Sequence, residues 1–276
     1  IEALESIRGY LKKQNEKYVI MTDSNVAVTF DFNDLLHAHM ASGADATVVY
    51  RKQEIPDSLI RKSTETVDMY YALGINGDHV SKIYVNPTEK GKMNFCLNIY
   101  VMERECLIRM IDDAYVHGYT NFVRDILERQ IEHLDVRGYC YDGYVAQIHD
   151  MKSYFEENMK LLQEENLNAL FSGNQIYTKI RDDNPTRYIN GSKAKNIMVA
   201  DGCVIEGEVE NSVLFRGVRI GKGAKVKNCV LMQDTVVEDN ASVEYVITDK
   251  DVTITEGKSL TGNDSFQVFV AKGQTV

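Results

Sequence analysis

From Val199 to Val243 an aliphatic residue returns every six positions, a period that belongs to neither an α-helix nor an ordinary strand. Val199 and Ile205 form one run, Leu214, Ile220 and Val226 a second, and Leu231, Val237 and Val243 a third. Small or β-branched residues follow four places on: Cys203 and Val209, Val218 and Ala224, Thr235 and Ala241. Between them lie the turn segments Ala200-Asp201-Gly202, Glu206-Gly207, Arg216-Gly217, Gly221-Lys222-Gly223 and Asp239-Asn240. The spacing predicts a left-handed parallel β-helix of hexapeptide repeats. Each short strand turns one apolar group inward, and Gly or Asn, which tolerate positive φ, round the corners. One coil buries little alone, so stacked coils supply the core. A β-sandwich would instead show a period of two with turns about every 8–12 residues.

The bulk chemistry excludes several classes. A net charge of −10 disfavours nonspecific binding to nucleic acid or anionic lipid. No apolar run approaches the roughly 20 residues of a membrane span, and Ile1-Glu2-Ala3-Leu4-Glu5 lacks the basic start of a signal peptide, so the expected location is the cytoplasm. Five cysteines without a CxxC spacing argue against a disulfide framework and a zinc site, and read as small buried hydrophobes. The chain opens inside an apparent amphipathic helix carrying Ile1, Leu4, Ile7 and Leu11, which suggests a piece whose front part is missing.

Ahead of the repeat, Tyr18-Val19-Ile20-Met21 reads as a buried strand ending in the loop Thr22-Asp23-Ser24-Asn25. A helix over 33–42 follows, then strands at 46–50, 71–75, 80–85 and 95–101, helices at 104–112 and 121–133, and a strand at 143–148. Strands alternating with helices predict an α/β domain with a largely parallel, Rossmann-like sheet. Residues 150–171 read as one long helix leading away from it. The expected division is an α/β domain over 1–175, a linker over 176–192 and the β-helix over 193–276.

An α/β sheet, a long helix, a linker and a hexad β-helix in this order resemble the sugar-nucleotide pyrophosphorylases. The segments at 18–32, Asn98-Ile99-Tyr100-Val101, Thr120-Asn121-Phe122-Val123-Arg124-Asp125 and Asn211-Ser212-Val213-Leu214-Phe215-Arg216-Gly217-Val218 are similar to stretches of glucose-1-phosphate adenylyltransferases. The resemblance implies a nucleotidyltransferase-like domain. Such enzymes join ATP to glucose 1-phosphate, with two aspartates holding Mg²⁺ between the phosphates. The first maps onto Asp23 and the second onto Gln147, a neutral amide, which leaves an incomplete metal site. The family's sugar-phosphate grip maps onto Val85 and Asn86, and its serine before the Ile-Tyr-Val strand onto Cys96. The glycine-rich phosphate loop would precede Ile1. These departures imply a chain that binds no Mg²⁺ productively. They fit the regulatory, GlgD-type subunit, which partners a catalytic subunit in a hetero-oligomer, expected to be a tetramer, serving ADP-glucose and glycogen synthesis. A catalytically competent adenylyltransferase is the alternative.

Arg216, Arg219, Lys222, Lys225 and Lys227 form a basic strip without an acidic residue from Leu214 to Asn228. It is either a site for an anionic metabolite effector or merely the polar exterior of a coil. Hexapeptide-repeat acyltransferases share such a tail but use a histidine base. Here His149 is the last histidine, which argues against acyl transfer. A purely structural β-helix scaffold leaves the α/β half unexplained.

Overall fold

The computed structural model describes every residue except 57–58, 60–68, 90, 173–175 and 179–180. Two compact units emerge, one comprising Ile1–Val26 with Phe30–Gly143 and the other Ala27–Thr29 with Tyr144–Val276. The change of unit at 143/144 differs from the boundary expected over 176–192, a stretch that includes residues outside those described.

In the first unit, helix α1 (Glu2–Leu11) turns Leu11, and part of Ile1 and Leu4, toward the core, while Ile7 stays exposed. The strands that follow in the chain are β1 (Tyr18–Thr22), β2 (Val26–Val28), most of which belongs to the second unit, β3 (Ala46–Glu54), β4 (Tyr71–Asn76), β5 (His79–Val85), β6 (Lys92–Glu103), β7 (Val136–Cys140) and, in the second unit, β8 (Val145–Gln147). Six of them make one sheet in the order β1-β6-β3-β7-β5-β4, and β2 pairs with β8 separately. The α/β class holds, but the sheet is not largely parallel. Among the described strands of the six, only β3 and β7 run parallel, and the other pairings are antiparallel. The cause is local. Gly77, at φ 67, and Asp78 close a two-residue hairpin between β4 and β5, and residues 86–91 are too few for a crossover helix. Strand β1 lies at an edge and is half-buried rather than buried.

Helix α2 (Phe32–Ser42) starts where Asp31 accepts the Asn33 N–H at 2.8 Å and ends at Gly43, whose φ is 65. Helix α3 (Arg104–His117) buries Cys106, Leu107, Ile108, Met110, Ile111 and Ala114, a stripe at helical spacing. The helix expected over 121–133 is only a short π-helical segment, Val123–Leu127, followed by turns. Four of the five cysteines are buried as expected, whereas Cys140 is exposed.

In the second unit, the single helix expected over 150–171 is two, α4 (Met151–Lys160) and α5 (Glu164–Phe171). Asp150 and Ser153 form a reciprocal cap at the start of α4. The break after Lys160 is held by Asn166, whose Nδ2 donates to the Lys160 carbonyl at 3.0 Å and to Gln163 Oε1 at 3.1 Å. Helix α4 packs Phe155 against Val213, Val230 and Ile247, which are outward-facing β-helix residues.

The β-helix is built from β9 (Arg187–Tyr188), β10 (Lys193–Val199), β11 (Val204–Ile205), β12 (Glu208–Leu214), β13 (Arg219–Ile220), β14 (Lys225–Lys227), β15 (Val230–Leu231), β16 (Val236–Val237), β17 (Ser242–Glu244), β18 (Val246–Thr248), β19 (Thr253–Ile254), β20 (Ser259–Thr261) and β21 (Val268–Val270). It completes about four turns, all pairings between its coils being parallel. Because β9 pairs with β11, the solenoid begins inside the expected linker. Every hexad residue named from the sequence is buried except Val199, which is half-buried against the same core.

Partners such as Val213 and Val230, or Val237 and Ile254, stand 17 residues apart. These middle coils are therefore one residue short of three hexads, whereas Val199 and Leu214 in the first stand 15 residues apart, and because neither length is 18 the periodicity breaks into separate runs. The short corner is turned by Asn196, Asn211 and Asn228, all left-handed at φ 48–49. Their side chains form a ladder, Asn196 Nδ2 donating to Asn211 Oδ1 at 2.8 Å and Asn211 Nδ2 to Asn228 Oδ1 at 2.6 Å. Burying each large aliphatic contributes about 1.5–3 kcal/mol.

Candidate functional site

In the first unit, polar side chains gather where β1 ends against the middle of β6, beside the π-helical segment. Asp23 follows β1, and its N–H donates to the Asn98 carbonyl at 3.3 Å. Asn98 interrupts the apolar run of β6 in a left-handed conformation, φ 53. Its Nδ2 donates to Asp23 Oδ2 at 2.6 Å, and its Oδ1 accepts the Tyr100 hydroxyl at 2.9 Å. Its backbone N–H meets Cys96 Sγ at 3.4 Å, and that sulfur lies 3.5 Å from the Tyr100 oxygen. Burial pushes the Cys96 thiol up to about 11 and the Tyr100 phenol well above its ordinary range. Both groups are thus neutral at physiological pH.

A second network adjoins it. The Tyr71 hydroxyl donates to Asn121 Oδ1 at 3.0 Å, and the same oxygen accepts the Arg124 N–H at 2.8 Å. Arg124 grips Asp125 through Nε at 2.7 Å and Nη2 at 2.9 Å. The Asp125 carboxylate also accepts the N–H groups of Thr120 and Asn121. Hydrogen bonds from Arg124, then from those backbone groups, hold the Asp125 carboxyl well below the usual carboxylate range. Burial raises the Tyr71 phenol to about 12.

The remaining expected positions are elsewhere. Asn86, at φ 47, clasps Tyr70: its N–H donates to the Tyr70 carbonyl and its Oδ1 accepts the Tyr70 N–H, both at 2.9 Å. The Tyr70 hydroxyl donates to the Pro87 carbonyl at 2.7 Å, and Val85 packs on the unit's core. Asn86 is therefore committed to a loop clasp. Gln147 is half-buried at the end of β8 and belongs to the second unit, whereas Asp23 belongs to the first.

The basic strip winds around a coil instead of converging. Arg219 lies on β13, in one sheet of the solenoid, and Lys225 and Lys227 on β14, in another. An open groove of about 340 Å³ sets Arg219 beside Glu206, Glu238, Asp239 and Glu256. Lys222 lines a neighbouring depression with Glu206, Glu208 and Asp239. Lys225 stands in register with Glu208 and Lys227 with Glu210. Those carboxyls sit below their ordinary values, chiefly through Lys193 and Lys195 at 2.7 and 2.9 Å. The acidic neighbours come from adjacent coils, so the local sequence did not show them.

A GlmU-like, C-terminal hexapeptide model matches residues 180–267. The glycogen biosynthesis protein GlgD of Bacillus subtilis (strain 168) is 30% identical over 265 residues, 96% of this chain and 65% of that protein. The glucose-1-phosphate adenylyltransferase of Geobacillus stearothermophilus is 30% identical over 224 residues, 79% of this chain and 56% of that protein. The chain is similar over most of its length to glucose-1-phosphate adenylyltransferases and GlgD proteins. The GlgD of Geobacillus stearothermophilus is likewise 31% identical over 218 residues, 79% of this chain and 51% of that protein. The chain spans between about half and two thirds of the length of these relatives.

In that setting the donor set can be judged against Mg²⁺, which prefers charged oxygens in octahedral array. Asp23 offers one carboxylate already bonded through Oδ2, and Gln147 offers an amide. Among the described residues, no group of three or more His, Cys, Asp or Glu is arranged to hold a metal. These residues do not fit the ion. The sequence pattern did not mark Asn98 and Tyr100 as members of the site. The available signal was an Asn inside an apolar strand, since Asn is among the few residues that visit the left-handed region.

Proposed function

We propose that the chain is part of a regulatory and assembly subunit working with a catalytic glucose-1-phosphate adenylyltransferase in making ADP-glucose from ATP and glucose 1-phosphate for glycogen. The observation that carries this reading is Asp23, which stands without a second carboxylate at Gln147 and whose Oδ2 already accepts a 2.6 Å bond from Asn98. Gln147 and the clasped Asn86 support it, because a site that must neutralise several phosphates needs charge. In this reading the β-helix is the assembly platform of a hetero-tetramer, Mg²⁺ is held by the catalytic partner, and the complex works in the cytoplasm. Any anionic effector acts on the assembled complex.

The test is pyrophosphate release from ATP and glucose 1-phosphate by the full-length protein, alone and mixed with its catalytic partner. We expect no turnover alone and an altered rate or effector response in the mixture. Appreciable turnover alone would overturn the noncatalytic part, and a mixture identical to the partner alone would overturn the regulatory part. The catalytically competent reading draws on the adenylyltransferase of Geobacillus stearothermophilus, as similar in identity as the GlgD of Bacillus subtilis, and the same assay decides it.

A further inference from the structure

We infer that Asp23 serves as the lock of a closed intramolecular network, Asp23–Asn98–Tyr100–Cys96, and is not a metal ligand in this protein. Two bonds join Asp23 to Asn98, one through each partner's backbone and one through side chains. They hold a non-glycine residue in the left-handed region in the middle of a strand, a conformation that persists only when its surroundings over-determine it. The Asn98 amide oxygen is taken by Tyr100 and the Asn98 N–H by Cys96, so every polar group of Asn98 is paired within the network. Both Tyr100 and Cys96 are buried. A cation that displaced Asn98 from Asp23 Oδ2 would leave the Asn98 amide without its acceptor, and one that used Oδ1 alone would gain a single protein ligand. The charge at Asp23 is thereby spent on shaping β6, and Asp23 is a positioning residue.

This inference deepens the noncatalytic reading proposed above and is tested apart from it, by metal binding and stability rather than turnover. The full-length protein is titrated with Mn²⁺, alone and with ATP, and followed by electron paramagnetic resonance, for the parent and for Asp23→Asn. The Asn variant keeps an oxygen acceptor but removes the charged ligand. No saturable micromolar Mn²⁺ site that depends on Asp23 is expected, and Asp23→Asn should melt close to the parent. Asp23→Ala and Asn98→Ala should each lower Tm by roughly 2–4 °C or more, and the double variant should fall short of their sum, as expected for contacting partners. A micromolar Mn²⁺ site abolished by Asp23→Asn would overturn the inference, as would full additivity of the two alanine variants. A pyrophosphate assay that contradicts the regulatory reading, with these results intact, would leave the lock standing.

Discussion

Asn98 donates its Nδ2 hydrogen to Asp23 Oδ2 at 2.6 Å while its own backbone stands at φ 53. Side-chain bonding and backbone strain therefore meet in one residue, and substitutions can separate them. Asn98→Ala loses the bonds and keeps the left-handed cost of about 1–2 kcal/mol. Asn98→Gly loses the bonds but relieves that cost. We expect the Ala variant to be less stable than the Gly variant by about 1 kcal/mol or more, read from urea unfolding midpoints. Equal stabilities would show that the conformation carries no strain.

The β-helix core should respond as a packed interior. Ile220→Ala, at a fully buried hexad position between Ile205 and Val237, is expected to cost about 2–5 kcal/mol. Lys222→Ala on the exposed corner should stay within about 0.5 kcal/mol. Denaturant unfolding of both variants checks the contrast, and a mild Ile220→Ala would contradict the core assignment.

Asp125 gives the stability an acid limb. Its folded carboxyl titrates below the unfolded value of about 3.9 because Arg124 and two backbone N–H groups hold the charged form. Its contribution is complete above pH ~4 and is lost as the pH falls toward the folded pKa. The stability gap between the parent and Asp125→Asn should therefore be constant from pH 7 to about 4 and narrow below that. Urea midpoints at pH 7 and pH 3 measure it, and a gap that widened in acid would be incompatible with this pairing.

His39 acts at milder pH. It is buried, its Nδ1 lies 2.8 Å from Thr47 Oγ1, and burial lowers its pKa below the ordinary 6.5. The stability linked to neutral His39 is present above about pH 6.5 and declines as the pH falls through the folded pKa. Lys17 and Glu103 face it electrostatically with opposite signs, and the Tyr18 ring packs edge-on. Replacing His39 with Gln should flatten the stability profile between pH 6.5 and 5. An unchanged slope would assign it to other groups.

Arg219 faces Glu206, Glu238, Asp239 and Glu256 across its groove, a poor setting for an anion. Arg219→Ala in the assembled complex is expected to leave the response to phosphorylated metabolites unchanged, as measured by activation curves. A lost response would place an effector at this groove.

The hexad repeat alone determined the coil, its inward residues and its corners. An inward side chain every six positions is a one-dimensional constraint, and each coil contacts only its neighbours. The strands of the α/β half were also legible as apolar runs. Their pairing was not: a hairpin at Gly77-Asp78 and a short 86–91 connection made the sheet mostly antiparallel, and parallel or antiparallel choice depends on non-local closure. The candidate site divides the same way. Residue type at Gln147, Asn86 and Asp23 already showed a deficit of charge. Only the tertiary structure decided that Asp23 is bonded to Asn98, that Asn86 clasps Tyr70, and that the basic strip is interleaved with carboxylates from adjacent coils. Hydrogen bonds and ion pairs between residues 15 to 75 positions apart depend on which strands lie side by side, and no local pattern in the chain encodes that.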